Sequence, residues 1–143
     1  MRLFFDANTL FTAAHNPDGK AALVAKLGAE GYWSLCTSDY AVIEARRNLA
    51  AKFPAALPRL VEQLAAFSIG RDDPALDCPF GLPPKDQPIY RAARAAGSTH
   101  LLTGDMRDFG PHMNLPALTH GLVVQTVAQF LRDLQNRSQG PLE

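Results

Sequence analysis

The sequence lacks most features that assign a small protein quickly. Cys36 and Cys78 are the only cysteines among 143 residues, and they lie far apart. They support neither a disulfide framework nor a paired-cysteine metal knuckle. Cys36 sits in an apolar run and reads as a small buried hydrophobe. No charge sign dominates: 14 Lys and Arg balance 14 Asp and Glu, for a formal net charge of zero. The global basic signature of a passive nucleic-acid binder is therefore missing. No apolar stretch is long enough to span a bilayer. Asp6 interrupts the first apolar run, so no secretion signal pattern appears. A soluble cytoplasmic protein is the expectation. His15, His100, His112 and His120 form no close pair of the kind a zinc-binding helix needs, and a lone histidine such as His100 is expected simply to pack. There is no internal repeat, no glycine-rich phosphate loop and no Gly-x-Ser-x-Gly elbow.

What is present suits one compact domain. Hydrophobic residues make up 47% of the chain, enough for a core without metal or disulfide staples. A single domain is expected over residues 1–135. Residues 136–143 are polar, contain Gly and Pro, and are expected to form a flexible tail. Arg2 to Phe5 reads as a short buried strand. Lys20 to Glu30 reads as a helix with Leu23 and Leu27 one turn apart and Gly31 as its stop. A second strand is expected over Tyr32 to Cys36. Ser38 can cap a helix running to about Phe53, with Val42, Ala45, Leu49 and Phe53 on its apolar face and Pro54 ending it. A further helix is expected from Leu57 to Phe67.

The stretch from Gly70 to Pro84 is turn-rich, and a structureless loop of that length is uncommon and often functional. Gln87 to Ala96 reads as a helix stopped by Gly97, and Thr99 to Thr103 as a strand. Gly110 to His120 is irregular. Leu122 to Gln125 and Thr126 to Leu134 read as a last strand and a last helix. This alternation predicts an α/β fold with a mostly parallel sheet and helices on both faces. Ligands bind such sheets outside the carboxyl ends of the strands.

Carboxylates gather at those ends. Leu3-Phe-Phe runs into Asp6, and Leu101-Leu-Thr-Gly runs into Asp105, with Asp108 three residues on. An ionised aspartate buried at a strand end is costly unless paired or metal-bound. For Asp6 the alternative is a helix or turn cap. Asp105 and Asp108 would share one face if the segment after Gly104 turned helical; otherwise Asp105 caps a turn and Asp108 meets Arg107 or solvent. Asp86 precedes Gln87-Pro88, which favours an N-cap role; a cap at that edge would still point into the crevice. Glu44 falls about 200° from Val42 on a helical wheel, at ~100° per residue. By pattern it reads as a surface residue pairing with Arg47 or Asn48. An all-carboxylate set favours Mg²⁺ or Mn²⁺ over zinc. Arg46, Arg47, Lys52 and Arg59 follow one another with no acid among them. They read either as phosphate-holding groups or as a solvated helix face.

Taken together, Phe4-Phe-Asp-Ala-Asn-Thr-Leu10, Glu44 on its helix, Pro84-Lys-Asp86 and Leu101-Leu-Thr-Gly-Asp-Met-Arg-Asp-Phe109 resemble the PIN-domain ribonucleases. The resemblance runs from Arg2 to about Leu134. It implies a three-layer α/β/α sandwich and a Mg²⁺ or Mn²⁺ site in which Asp6, Glu44, Asp86 and Asp105 are catalytic ligands and Asp108 is an additional one. Asn8 and Thr103 would steady that cluster, and Arg46, Arg47 and Arg107 would position the substrate backbone. It also implies hydrolysis of RNA phosphodiester bonds. Many small members are VapC-type toxins, so a small antitoxin partner and a homodimer are expected. A non-toxin RNA-processing nuclease and a non-catalytic interaction module are the rival readings. An aspartyl phosphotransferase ranks below them, because Asp6-Ala-Asn8 lacks the second aspartate of an Asp-x-Asp site.

Overall fold

The computed structural model describes residues 1–138. Five strands form one sheet in the order β3-β2-β1-β4-β5, and every neighbouring pair is parallel. The strands are β1 Arg2–Phe5, β2 Ser34–Ser38, β3 Phe67–Gly70, β4 His100–Leu102 and β5 Val123–Gln125. The helices are α1 Ala7–His15, α2 Lys20–Ala29, α3 Asp39–Lys52, α4 Leu57–Leu64, α5 Gln87–Ala95 and α6 Val127–Ser138. The result is a PIN-like α/β/α arrangement.

The central strand explains the architecture. Leu3, Phe4 and Phe5 of β1 are all fully buried, so both faces of that strand need a cover, as parallel sheets require. The chain moves from β1 outward through β2 to β3, then returns to β4 on β1's other side. That reversal makes the carboxyl ends of β1 and β4 the switch point, the usual ligand crevice of an open α/β sheet. Phe5 pairs with Leu102 there, so the residues that follow each strand emerge side by side.

Local signals set most helix ends. Ser38 accepts a hydrogen bond from the Ala41 amide at 3.2 Å and starts α3. Thr126 and Gln129 close a reciprocal cap at the start of α6, at 2.9 and 3.1 Å. Gly97 takes φ +70° just after α5, a left-handed conformation that suits glycine.

Several expectations need correction. α1 was not expected at all. Its Asn8, Thr9 and Thr12 are poor helix formers, and the helix is held by burying Ala7, Leu10, Ala13 and Ala14. The helix expected to reach Phe67 ends at Leu64, and Phe67–Gly70 is the edge strand β3. β2 begins two residues later than expected, at Ser34, and runs to Ser38. Residues 136–138, expected to begin a tail, continue α6; residues 139–143 of that tail lie outside the described residues. The loop after β3 is irregular but anchored. Asp72 holds Arg91 through two contacts of 2.7 and 2.8 Å, and His112 Nε2 bonds the Phe80 carbonyl at 3.0 Å. His100 packs edge-on against Phe130, and both cysteines are free.

Candidate active site

Asp6 follows β1 directly and is 5% exposed. Its amide extends the β1–β4 pairing by donating to the Leu102 carbonyl at 3.1 Å. It is also the N-cap of α1, with Oδ1 accepting from the Ala7 amide at 2.6 Å. The cap role and the strand-end role therefore coincide. Oδ2 accepts from the Thr103 hydroxyl at 2.7 Å and from Asn8 Nδ2 at 3.4 Å. Burial pushes the Asp6 carboxyl up to about 6. The Thr103 and Ala7 donors oppose that rise, while the negative charges of Glu44 and Asp105 add to it.

The β4 side is tied to this arrangement by one hydroxyl. Thr103 Oγ1 donates to Asp6 and accepts from the Asp105 amide at 3.0 Å. Asn8 Oδ1 accepts from the Gly104 amide at 2.7 Å. A Cβ at Gly104 would sit 3.3 Å from that oxygen, so the close approach favours glycine. Asp105 Oδ1 accepts from the Asp108 amide at 3.1 Å. The segment after Gly104 is thus a capped turn, not the helix that would align both carboxylates, and Asp108 pairs with Lys85 at 2.8 Å instead of Arg107.

Asp86 behaves differently. It ends a short 3-10 turn, Pro84–Asp86, before α5, and its side chain makes no capping hydrogen bond. Asp86 thus occupies the N-cap position of α5 as expected, but its carboxyl does not serve as the cap. Asp86 is 7% exposed, and its Oδ2 is buried with no hydrogen-bond partner. Burial first, then a hydrogen bond shared with the Asp108 carboxylate and the charge of that carboxylate, push the Asp86 carboxyl up to about 7. The Lys85 ammonium holds Asp108 below its ordinary value. Ligand oxygens of Asp86, Asp105 and Asp108 all lie within 4.8 Å of one another, so this trio could hold a metal ion. An all-oxygen set suits a hard divalent cation.

A cavity of about 120 Å³ joins these groups; Asp6, Asn8, Glu44, Asp86 and Asp105 all line it. Glu44 reaches it from the exposed side of α3 and has no ion-pair partner among the described residues. The expected pairing with Arg47 is not formed. Arg46, Arg47 and Arg107 are exposed, and none is among the described residues lining the cavity. Three polar lining residues were missed from sequence, Tyr40, Asn48 and Lys85, besides the apolar Ala7 and Ile89. Tyr40, Glu44 and Asn48 stand one turn apart on α3, a polar stripe that helical spacing could have revealed. Lys85 carries no signal beyond adjacency to Asp86.

A parallel sheet with an acid-lined cavity at its switch point defines a PIN-like α/β domain with a potential metal centre. No known family profile matches the sequence, and no curated protein matches it. A solved structure does: 88% of this chain and 98% of the other superpose with a TM-score of 0.61 at 14% identity. That chain belongs to VapBC2 from Rickettsia felis, crystallised bound to a DNA fragment from their promoter. At this identity the likeness speaks for the fold. No helix of the described residues is long and apolar enough to cross a membrane.

Proposed function

We propose that this protein is a divalent-metal-dependent ribonuclease and the toxin of a toxin–antitoxin pair. The observation that carries the nuclease reading is Asp86 Oδ2, a buried oxygen without a donor. Ligand oxygens of Asp86, Asp105 and Asp108 gather within 4.8 Å of one another at the switch point. A buried anionic oxygen of that kind calls for a proton or a cation, and the oxygen-only donor set fits Mg²⁺ or Mn²⁺.

In this reading Asp86, Asp105 and Asp108 hold the ion, and Asp6 and Glu44 join them directly or through water. When bound, Mg²⁺ or Mn²⁺ supplies Lewis-acid chemistry, neutralising charge on the phosphodiester and activating water for its hydrolysis. Thr103 and Asn8 fix the Asp6 carboxylate and keep it aimed. Arg46, Arg47 and Arg107 track the RNA backbone outside the cavity, so binding weakens with salt. No side-chain nucleophile is required. The likeness to a VapBC2 chain supports a small antitoxin partner. A homodimer in the cytoplasm belongs to the same reading.

The test is a panel of RNAs incubated with purified protein in Mg²⁺, in Mn²⁺ and in chelator. Cleavage is expected only with metal and is expected to disappear in Asp6→Asn. Cleavage that survives chelator, or an Asp6→Asn protein as active as wild type, rules the assignment out. Expression of the active protein should arrest growth.

A further inference from the structure

The acidic cavity carries a cation of its own. Lys85 lines it together with Asp6, Glu44, Asp86 and Asp105. Its Nζ lies 2.8 Å from Asp108 Oδ2, and its side chain is 68% exposed while that of Asp108 is 16% exposed. Asp108 is the one salt-bridge partner of Lys85 among the described residues. The ammonium is therefore held by a single contact on a long, free stem. Its backbone is fixed in the turn Pro84–Asp86, beside the carboxylate whose Oδ2 has no partner. A divalent ion drawn to Asp86, Asp105 and Asp108 competes with this ammonium for Asp108.

We propose that Lys85 is a displaceable counter-ion that becomes a substrate contact. It neutralises Asp108 in the metal-free protein, releases it to the incoming ion, and then binds a non-bridging oxygen of the RNA phosphate from the rim of the cavity. This rests on the metal-nuclease reading above. Lys85 is thus a positioning residue with two effects of opposite sign: it weakens metal binding and strengthens RNA binding. A lysine that served only as a surface ion pair would do neither.

Two measurements separate these roles. Calorimetric titration of Mn²⁺ compares wild type, Lys85→Gln and Lys85→Arg; the exposed position lets all three fold, which circular dichroism checks. Lys85→Gln is expected to bind Mn²⁺ up to about fivefold more tightly, the range a surface ion pair spans. Lys85→Arg stays near wild type. Binding of a short single-stranded RNA is then compared between Asp6→Asn and Asp6→Asn with Lys85→Gln, a background that keeps the strand whole. The double variant should bind more weakly, with a salt slope smaller by about 0.7, the loss of one phosphate contact on a single strand. Equal or weaker Mn²⁺ binding in Lys85→Gln, or an unchanged salt slope, overturns the role of Lys85 alone. A wild-type protein that binds no Mn²⁺ overturns the metal reading of the cavity and this inference with it.

Discussion

On the β1 side of the cavity both carboxylate oxygens of Asp6 have donors, from Ala7, Thr103 and Asn8. On the α5 side, Asp86 Oδ2 has none. Both residues are more than nine-tenths buried, so burial alone does not separate them. The difference lies in what placed them. Asp6 sits where a strand ends and a helix begins, and both elements offer donors as a by-product of their geometry. Asp86 ends the tight turn Pro84–Asp86, and its side chain makes no capping hydrogen bond to its own helix. One side of the cavity is completed by the protein. The other leaves a buried carboxylate oxygen without a donor, on a residue grouped with two more carboxylates, an arrangement that favours a proton or a cation.

The largest expected effect tests this division directly. Asp86→Asn puts an amide where the unpartnered oxygen stands and removes a charge from the trio. Asp6→Asn keeps the shape of the better-satisfied side. Both should reduce metal-dependent cleavage by about a hundredfold or more, at or beyond the roughly 10–100-fold cost of losing a group that only orients a ligand. They should differ in Mn²⁺ affinity measured by titration. Asp86→Asn should cost more there than Asp6→Asn, because Asp86 belongs to the close trio. Equal losses of Mn²⁺ affinity would mean that the two sides act as one and that the contrast is only apparent.

How much of this was legible in the sequence follows the same line. Apolar runs stopped by aspartate gave β1, β4 and the neighbouring positions of Asp6 and Asp105, because a parallel strand buried on both faces leaves a plain signature. α1 was not legible: Asn8, Thr9 and Thr12 argue against a helix locally, and only packing overrules them. β3 was hidden because no Gly or Pro separates Leu64 from Phe67. Glu44 read as a surface residue, and it is exposed; its place at the cavity depends on where α3 sits against the sheet, which helical periodicity does not encode. For Asp86 the local pattern was misleading. Its sequence context fits a cap, and it stands at the N-cap position, yet its carboxyl makes no capping hydrogen bond. Lys85 could not be assigned at all, since its partner Asp108 is distant in sequence.

Metal-free stability should reveal the unmet charge as a pH dependence. Asp6 titrates near 6 in the folded protein against 3.8 for its ordinary value, and Asp86 near 7 against 3.8. Between about pH 4 and 7 the folded protein therefore holds protons that the unfolded chain has lost. These two carboxyls make stability fall as pH rises through that window and then level off, while His100, held below its ordinary value by burial, acts in the opposite direction. Asp6 alone contributes about 3 kcal/mol over that window, and Asp86 acts in the same direction. With Mn²⁺ the cation replaces the proton and the fall should be abolished or reversed. Urea denaturation at pH 5, 6, 7 and 8, in chelator and in Mn²⁺, measures this. A chelated protein that gains stability from pH 5 to 7 would show that both carboxyls are already satisfied.

The smallest effect concerns the group that joins the two sides. The Thr103 hydroxyl donates to Asp6 Oδ2 at 2.7 Å and accepts from the Asp105 amide at 3.0 Å. Thr103→Val has nearly the same volume but no hydroxyl, so the buried site loses three hydrogen bonds, the third a 3.4 Å contact from Asn8 Nδ2, without gaining a cavity. Asp6 Oδ2 would keep only the 3.4 Å contact from Asn8, and the Asp105 amide would lose its side-chain acceptor. The Asp6 carboxyl should rise further, because the Thr103 donor is the strongest influence holding it down. Mn²⁺ affinity and cleavage should fall about tenfold, the lower range for a group that orients a ligand. The metal-free pH dependence should also steepen between pH 6 and 7, a change that a purely structural threonine would not produce. Thr103→Ser, which restores the hydroxyl, should recover both readings. If Val matches wild type in Mn²⁺ titration, the two sides of the cavity are held independently, and Asp105 is placed by its own turn.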